Sequence, residues 1–300
     1  MKSQLYISKV TKRNIRNGLL FVSPFLIGFT CFIAYPILAS LYYSFCDFNI
    51  FQEPRWIGIE NYRNMLKDDL FITSAYNTIY YTLLYIPFSL FFGIGMALLL
   101  NTKVKGLSIY RTIYYLPTLV PTVAASILWL QILDPTYGLI NNILRIFGIY
   151  GPGWIADPKW AKPSLVIMGF WGIGGAVIIY LAGLQDVPQQ LYEAAELDGA
   201  SSWQKVIYIT IPMISPIILF NLIIGIIGAL QYFTQAYVMT SGGPANSTLF
   251  YSLYLFRNAF QFFRMGYASA MAWLLFITTL ICTLVVLKSS ARWVYYGGTK

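Results

Sequence analysis

The chain has 300 residues and a formal net charge of +9, yet only 10% of its residues are charged, while 58% are apolar and 18% aromatic. A soluble domain carries about 25% charged residues, so a surface this poor in charge excludes an ordinary water-soluble fold. Nucleic-acid binding is excluded as well, because the basic residues sit in short segments between apolar runs and leave no basic domain over.

A membrane-spanning helix needs about 20 largely apolar residues to cross a hydrocarbon layer about 30 Å thick. Six stretches meet that requirement and predict an all-α polytopic membrane bundle. The first, near Gly18–Phe45, follows Lys2, Lys9, Lys12, Arg13 and Arg16 and is too long for a signal-peptide core, so a retained first span is expected. The others run near Ala75–Leu100, Ile109–Leu133, Ser164–Gln185, Met213–Met239 and Tyr267–Leu287. Residues 1–17 form an N-terminal segment, 18–290 the membrane domain and 291–300 a C-terminal tail.

Orientation follows from where the basic residues fall. With the N-terminus inside the cell, the inner segments hold twelve: the five before the first span, then Lys103, Lys105, Arg111, Lys205, Lys288, Arg292 and Lys300. The outer loops hold eight: Arg55, Arg63, Lys67, Arg145, Lys159, Lys162, Arg257 and Arg264. Both termini are therefore expected to be cytoplasmic. The spans carry almost no ionisable residue near their centres, where a charge costs about 3 kcal/mol and marks a proton relay or ion site. Energy for transport must then come from outside the bundle.

No enzymatic reading gains support. Histidine is absent, and the three cysteines, Cys31, Cys46 and Cys282, form neither an even framework nor a zinc-site spacing. No catalytic residue, metal ligand or cofactor of the chain itself is expected.

The inner loop between spans four and five carries the sharpest signal. Asp186 has the chemistry of an N-cap, Pro188 suits a first helical turn, Gln189 to Asp198 are good helix formers and Gly199 supplies a stop. Ser202 is the expected cap of a second helix running toward Pro212. In the first helix Ala194 and Ala195 offer a shallow surface for a partner's groove. Glu193 and Asp198 flank it with charge suited to a partner's Arg or Lys, and Leu191, Tyr192 and Leu197 add apolar contact. An amphipathic helix resting on headgroups would be rich in Lys and Arg; this one is acidic.

Glu193-Ala194-Ala195, three residues, Gly199, nine residues and Ile209-Thr210-Ile211-Pro212 resemble the "EAA" signature of ABC importer permeases, with Ile211 in place of the usual leucine. Further segments resemble the maltose-type, sugar-transporting branch: Ser23-Pro24-Phe25, Tyr35-Pro36, Trp56 to Tyr62, Tyr115-Leu116-Pro117, Gly242-Gly243-Pro244 and Met265 to Ala270. The resemblance covers nearly the whole chain. It implies an importer of two permeases, here a heterodimer, two cytoplasmic ATP-binding subunits that bind ATP and Mg, and an extracytoplasmic sugar-binding protein. It also implies that Glu193, Ala194, Ala195, Asp198, Gly199 and Ala200 belong to a coupling helix seated in a cleft of the ATPase.

Span five offers Asn221, Gly225, Gly228, Tyr232 and Gln235 at helical spacing on one face. Amides and a tyrosine suit a sugar's hydroxyls and C–H faces, and the glycines open space; small residues at such spacing also pack membrane helices together. Trp171 and Gly172 in span four are further candidates, though Trp also marks packing or an interface. The Gly242-Gly243-Pro244 turn ends span five outside, either as a helix stop or as a receiver for the binding protein. Asn246, Ser247 and Thr248 form an N-x-[ST] sequon read as coincidence. Three rivals stand beside the sugar permease: a permease for glycerol phosphate or an amino acid, a membrane enzyme, and a non-transporting scaffold. An anionic solute would favour a cavity-facing Arg or Lys, which spans four and five lack. An enzyme would need clustered His, Asp or Glu, which the sequence does not offer.

Overall fold

The computed structural model describes residues 9–102 and 105–295, so Lys2, Lys103, Lys300 and the last residues of the 291–300 tail lie outside the described residues. The chain divides into two compact units, residues 1–63 with 258–273 and residues 64–257 with 274–300.

The first unit is built on α1 (Lys9–Ser44), 36 residues long and nowhere buried over its most apolar window. Phe21 is 89% exposed, as a lipid-facing ring should be when lipid rather than water is the solvent. The helix widens to a π turn at Thr30–Ala34, just before Pro36. Proline has no N–H to donate and its ring crowds the preceding turn; a one-residue bulge absorbs both without ending the helix. Beyond α1 a small antiparallel pair, β1 (Cys46–Asp47) and β2 (Arg55–Trp56), matches Cys46 to Trp56. Asn61 ties it down by donating from Nδ2 to the carbonyls of Ser44 and Cys46, both at 2.9 Å. Gly266 packs on the hairpin from much later in the chain. Its N–H donates to Phe48 O at 3.0 Å, and a Cβ there would collide with the Cys46 carbonyl oxygen. Trp56 to Tyr62 and Met265 to Ala270, far apart in sequence, thus meet around one hairpin.

In the second unit, α2 (Asp69–Leu100) starts at Asp68, whose carboxylate accepts from the N–H groups of Leu70 and Phe71. The third apolar stretch is not one straight helix. It divides into α3 (Leu107–Tyr115), a 3-10 turn at Leu116–Leu119 and α4 (Thr122–Ile132), bent by 101°. Pro117 and Pro121 bracket the bend, and neither can donate the N–H that would continue a helix. A short α5 (Leu139–Ile146) follows. The fourth stretch comprises α6 (Pro158–Trp171) and α7 (Gly174–Gln185), bent by 46° where Gly172 and Ile173 interrupt the ladder. Lys162, expected in a loop, lies within α6, where Nζ donates to Asn77 Oδ1 at 2.8 Å and sits over the rings of Tyr76 and Tyr80.

After α7 come α8 (Gln189–Leu197) and α9 (Ser202–Lys205). The fifth stretch is α10 (Ser215–Leu230), a break at residues 231–233 and α11 (Thr234–Met239). The unit closes with α12 (Tyr251–Phe256) and the later turns of α13 (Met265–Ser290). Ala97 and Leu100 of α2, Val177, Tyr180, Leu181 and Leu184 of α7 and Ile214 form a buried core. That core seats the loop carrying α8, because Tyr192 packs against it. Among the described residues, four helices are long and apolar enough to span a membrane, and the two bent pairs bring the number to six. The six expected stretches are all present, the third and fourth sharply bent and the fifth interrupted at residues 231–233.

Candidate functional site

Two features of the second unit are candidates for the functional chemistry, a short exposed helix and an internal cavity.

The helix α8 departs from the sequence expectation at its start and follows it at its end. Asp186 is not its N-cap; it is the C-terminal cap of α7, and Pro188 takes the N-cap position in extended conformation. The reason is steric: Val187, before proline, avoids helical ψ, so Asp186 cannot cap a helix that runs through it; Pro188 itself has ψ 126°, which leaves Gln189 as the first helical residue. At the other end Gly199 has φ +77°. Its N–H donates to Glu196 O at 3.0 Å, and that of Ala200 donates to Ala195 O at 2.8 Å, the paired hydrogen bonds of a Schellman stop. The cap of α9 is Ser201 rather than Ser202, in a reciprocal capping box with Gln204.

Glu193, Ala194, Asp198 and Gly199 are exposed, Ala195 and Ala200 half-buried, and Leu197 is 90% exposed. Glu193 and Asp198 have no ion-pair partner among the described residues; Glu196 pairs with Lys205 at 2.6 Å and braces α8 against α9. Tyr192 turns inward instead, its hydroxyl 2.9 Å from Thr210 Oγ1. The helix is therefore fixed from below and bare above. Trp203, 70% exposed on α9, extends the bare face. The sequence reading passes over it, although a tryptophan shortly beyond a helix stop in a polar loop is itself a signal.

The cavity has a volume of about 530 Å³ and is lined by Trp171, Gly172, Asn221, Gly225, Gly228, Tyr232 and Gln235, the seven residues singled out from the sequence. They do not arrive there by one helical face. The helix breaks at residues 231–233, where Phe233 has φ −138° and ψ −63°, so Tyr232 and Gln235 reach the cavity through the break and not through the spacing of α10. The glycines differ from each other. A Cβ at Gly225 would meet Ile86 Cδ1 at 3.1 Å, whereas one at Gly228 would meet nothing within 4 Å. Gly225 thus serves helix packing as well as the cavity, and Gly228 opens space. Asn221 donates to Ile217 O at 3.1 Å, leaving its amide oxygen free of any bond to the helix.

The opposite wall comes from α2 and the broken third stretch. Tyr81, Tyr85, Ser89, Thr118 and Thr122 line it, and the sequence reading names none of them. The signal is present: Tyr81, Tyr85 and Ser89 recur every four residues of an apolar helix. Tyr81 lies over Tyr232 with ring centroids 4.3 Å apart and stacks on Tyr85 at 5.4 Å. Trp171 contacts Trp129 edge-on at 6.3 Å, so it serves packing and cavity together. No Asp, Glu, Lys or Arg lines the cavity among the described residues.

At the end remote from α8, the Gly242-Gly243-Pro244 turn borders an open crevice of about 830 Å³ with Asp134 and Tyr137. Backbone N–H groups of Tyr137 and Thr136 hold the Asp134 carboxylate below the usual carboxylate range. Asn77 secures the same loop by donating to Asn246 O at 2.9 Å and Leu249 O at 3.1 Å. Thr248 is fully buried and bonded to Gly243 O at 2.7 Å, which makes the sequon a piece of turn structure.

A family model described as "Binding-protein-dependent transport system inner membrane component" matches residues 89–294. The chain is 40% identical over 294 residues to a probable ABC transporter permease protein of Bacillus subtilis, covering 96% of this chain and 95% of that one. It is 34% identical to the trehalose/maltose transport system permease protein of Thermococcus litoralis, covering 94% and 96%, and 37% identical to the lactose transport system permease protein of Rhizobium radiobacter, covering 82% and 84%. Among solved structures it is similar to a chain of a bacterial alginate ABC transporter in complex with an alginate pentasaccharide-bound periplasmic protein, with TM-score 0.83, 26% identity, and coverage of 95% and 98%. The chain belongs to the binding-protein-dependent transport system inner membrane component family: it is a multi-pass membrane permease subunit of an ABC transporter, a family in which separate subunits hydrolyse ATP.

Proposed function

We propose that this permease carries neutral sugars or oligosaccharides into the cell, taking them from an extracytoplasmic binding protein and moving them on energy delivered through α8. The observation that carries the reading is the cavity: aromatic rings, amides and hydroxyls converge on about 530 Å³ with no charged side chain among its lining residues. Aromatic faces suit the C–H faces of sugar rings, and Asn221, Gln235, Thr118 and Ser89 supply hydrogen-bonding groups for hydroxyls. An uncompensated anion drawn into such a site would lose several kcal/mol of hydration, which disfavours glycerol phosphate and uronates. The names of the lactose and trehalose/maltose relatives support a saccharide substrate; the similar alginate transporter imports an acidic one, so the neutral class rests on the cavity.

In this reading both termini and α8 face the cytoplasm, as the distribution of Lys and Arg supports. The partners are a second, different permease, two ATP-binding subunits that hold ATP and Mg, and the binding protein. ATP binding draws the ATPase pair together and carries α8 with it. Because Tyr192 joins α8 to the core of α2 and α7, movement of the helix rocks those spans as rigid bodies and turns the cavity outward. Sugar enters from the docked binding protein, and hydrolysis returns the cavity inward. No cofactor is proposed for this chain. A scaffold without transport would not need an open cavity between Tyr81 and Gln235.

The test is uptake by the complex reconstituted with its neighbouring subunits, using neutral oligosaccharides and their uronate counterparts. Saturable uptake of a neutral member with no uptake of uronates is expected. Preference for uronates would overturn the substrate class, and no ATP-dependent uptake of any saccharide would overturn the sugar reading.

A further inference from the structure

On the face of α7 turned away from the sugar cavity, a crevice of about 260 Å³ opens among α2, α3 and α7. Its wall is apolar where Val177, Ile178 and Leu181 line it, and polar where Arg111 and Gln185 do. The polar part lies at the α8 end of the spans, since Leu100 ends α2 and Gln185 ends α7. The sequence assigns Arg111 no more than an inner-side positive charge. Here it is fixed: Nη2 donates to Leu100 O at 3.1 Å, the last turn of α2, where a cation is favoured by the helix dipole. That bond uses one of three nitrogens. Nε is buried with no hydrogen-bond partner, and no carboxylate pairs with the guanidinium among the described residues.

A cation held at the membrane edge, with donors left over and an apolar trough running away from it, matches one chemistry: an anionic head joined to an acyl chain. We propose that the crevice binds one anionic phospholipid of the leaflet on the α8 side. Its phosphate takes the Arg111 guanidinium on the side not bonded to Leu100 and the Gln185 amide, and one acyl chain lies along the exposed lining residues Tyr115, Ile178 and Ala182. An arginine suits this better than lysine, because its planar fork can serve the helix end and a phosphate at once. The site is separate from the sugar cavity, which uses Ile173, Ala176, Ile179 and Tyr180 on the other side of the same helix.

The test is native mass spectrometry of the intact transporter purified from mixed phosphatidylglycerol and phosphatidylcholine membranes. Wild type is expected to retain phosphatidylglycerol on this permease, and Arg111→Gln to lose at least about fivefold of it, the scale of one basic residue near an anionic membrane surface. Arg111→Lys should fall between them. Ala182→Phe, which keeps the guanidinium and fills the crevice, should also lose the lipid, so the result does not depend on whether the Arg111→Gln protein folds. Added inorganic phosphate should not displace the lipid; displacement by phosphate alone would make the site one for a free anion and overturn the proposal. Equal retention in all variants, or equal retention of phosphatidylcholine, would overturn it too. So would a crosslink between the Ile178→Cys variant and the second permease with no lipid retained, which would make the face a subunit interface.

Discussion

Gly199 has φ +77° and its Cβ direction is empty, so its constraint is conformational and not one of space. A side chain there costs about 1–3 kcal/mol of backbone strain and frays the stop that gives α8 its length. Gly199→Asp adds a second carboxylate beside Asp198 on the face offered to a partner. We expect this variant to reach the membrane in normal amount and to lose uptake, measured as transported sugar per unit of membrane-inserted protein. Gly199→Ala should lose much less. Within the cavity wall, Tyr232 is buried together with its hydroxyl, and its ring lies on Tyr81. Tyr232→Phe should therefore leave uptake within about threefold of wild type, because no hydrogen bond is lost, while Tyr232→Ala should do worse by removing the ring that lies on Tyr81. Gly228→Leu should block transport without disturbing packing, because nothing stands within 4 Å of the position; Gly225→Leu should instead lower stability, because Ile86 stands in its way.

At the scale of elements, the consequential features are interruptions. The 101° bend between α3 and α4, the 46° bend between α6 and α7, and the break after α10 all fall beside the cavity. Each frees backbone and side chains to face a cavity inside the bundle, which is where irregular backbone is tolerated in a membrane. None is legible as a break in the sequence, because a window of about 20 residues averages hydropathy and is insensitive to direction. Pro117, Pro121 and Gly172 are visible, yet proline and glycine also occur within continuous spans: Pro24 and Pro87 lie inside α1 and α2. The Asp186 and Ser202 assignments fail for a related reason. More than one candidate cap stands near each helix start, and backbone sterics choose between them. By contrast the existence of α8 and its Gly199 stop are readable, since a glycine stop is local chemistry with one candidate in reach. The seven cavity residues are readable as a set but not in their arrangement, and the α2 wall escapes notice because tyrosine in an apolar run reads as packing. Removing the α9 capping box with Ser201→Ala should cost about 1 kcal/mol, seen as a lower melting temperature in detergent, with the Glu196–Lys205 brace contributing little on its own because such exposed pairs are worth about 0–1 kcal/mol.

For the molecule as a whole, the proposed function puts the cargo path in the spans and the energy input in the exposed loop. No charged side chain lines the cavity among the described residues, and in the proposed function the bare acidic face of α8 with Leu197 and Trp203 is the surface a motor grips. Leu197→Asp with Trp203→Ala should release the ATP-binding subunits during purification while leaving the permease in the membrane. The most direct measurement is Leu197→Cys, introduced into a chain with Cys31, Cys46 and Cys282 replaced by serine. In intact cells this thiol should resist a membrane-impermeant reagent and crosslink to an ATP-binding subunit. Labelling from outside the cell, or crosslinking to the binding protein and never to an ATPase, would contradict the coupling of α8 to the motor.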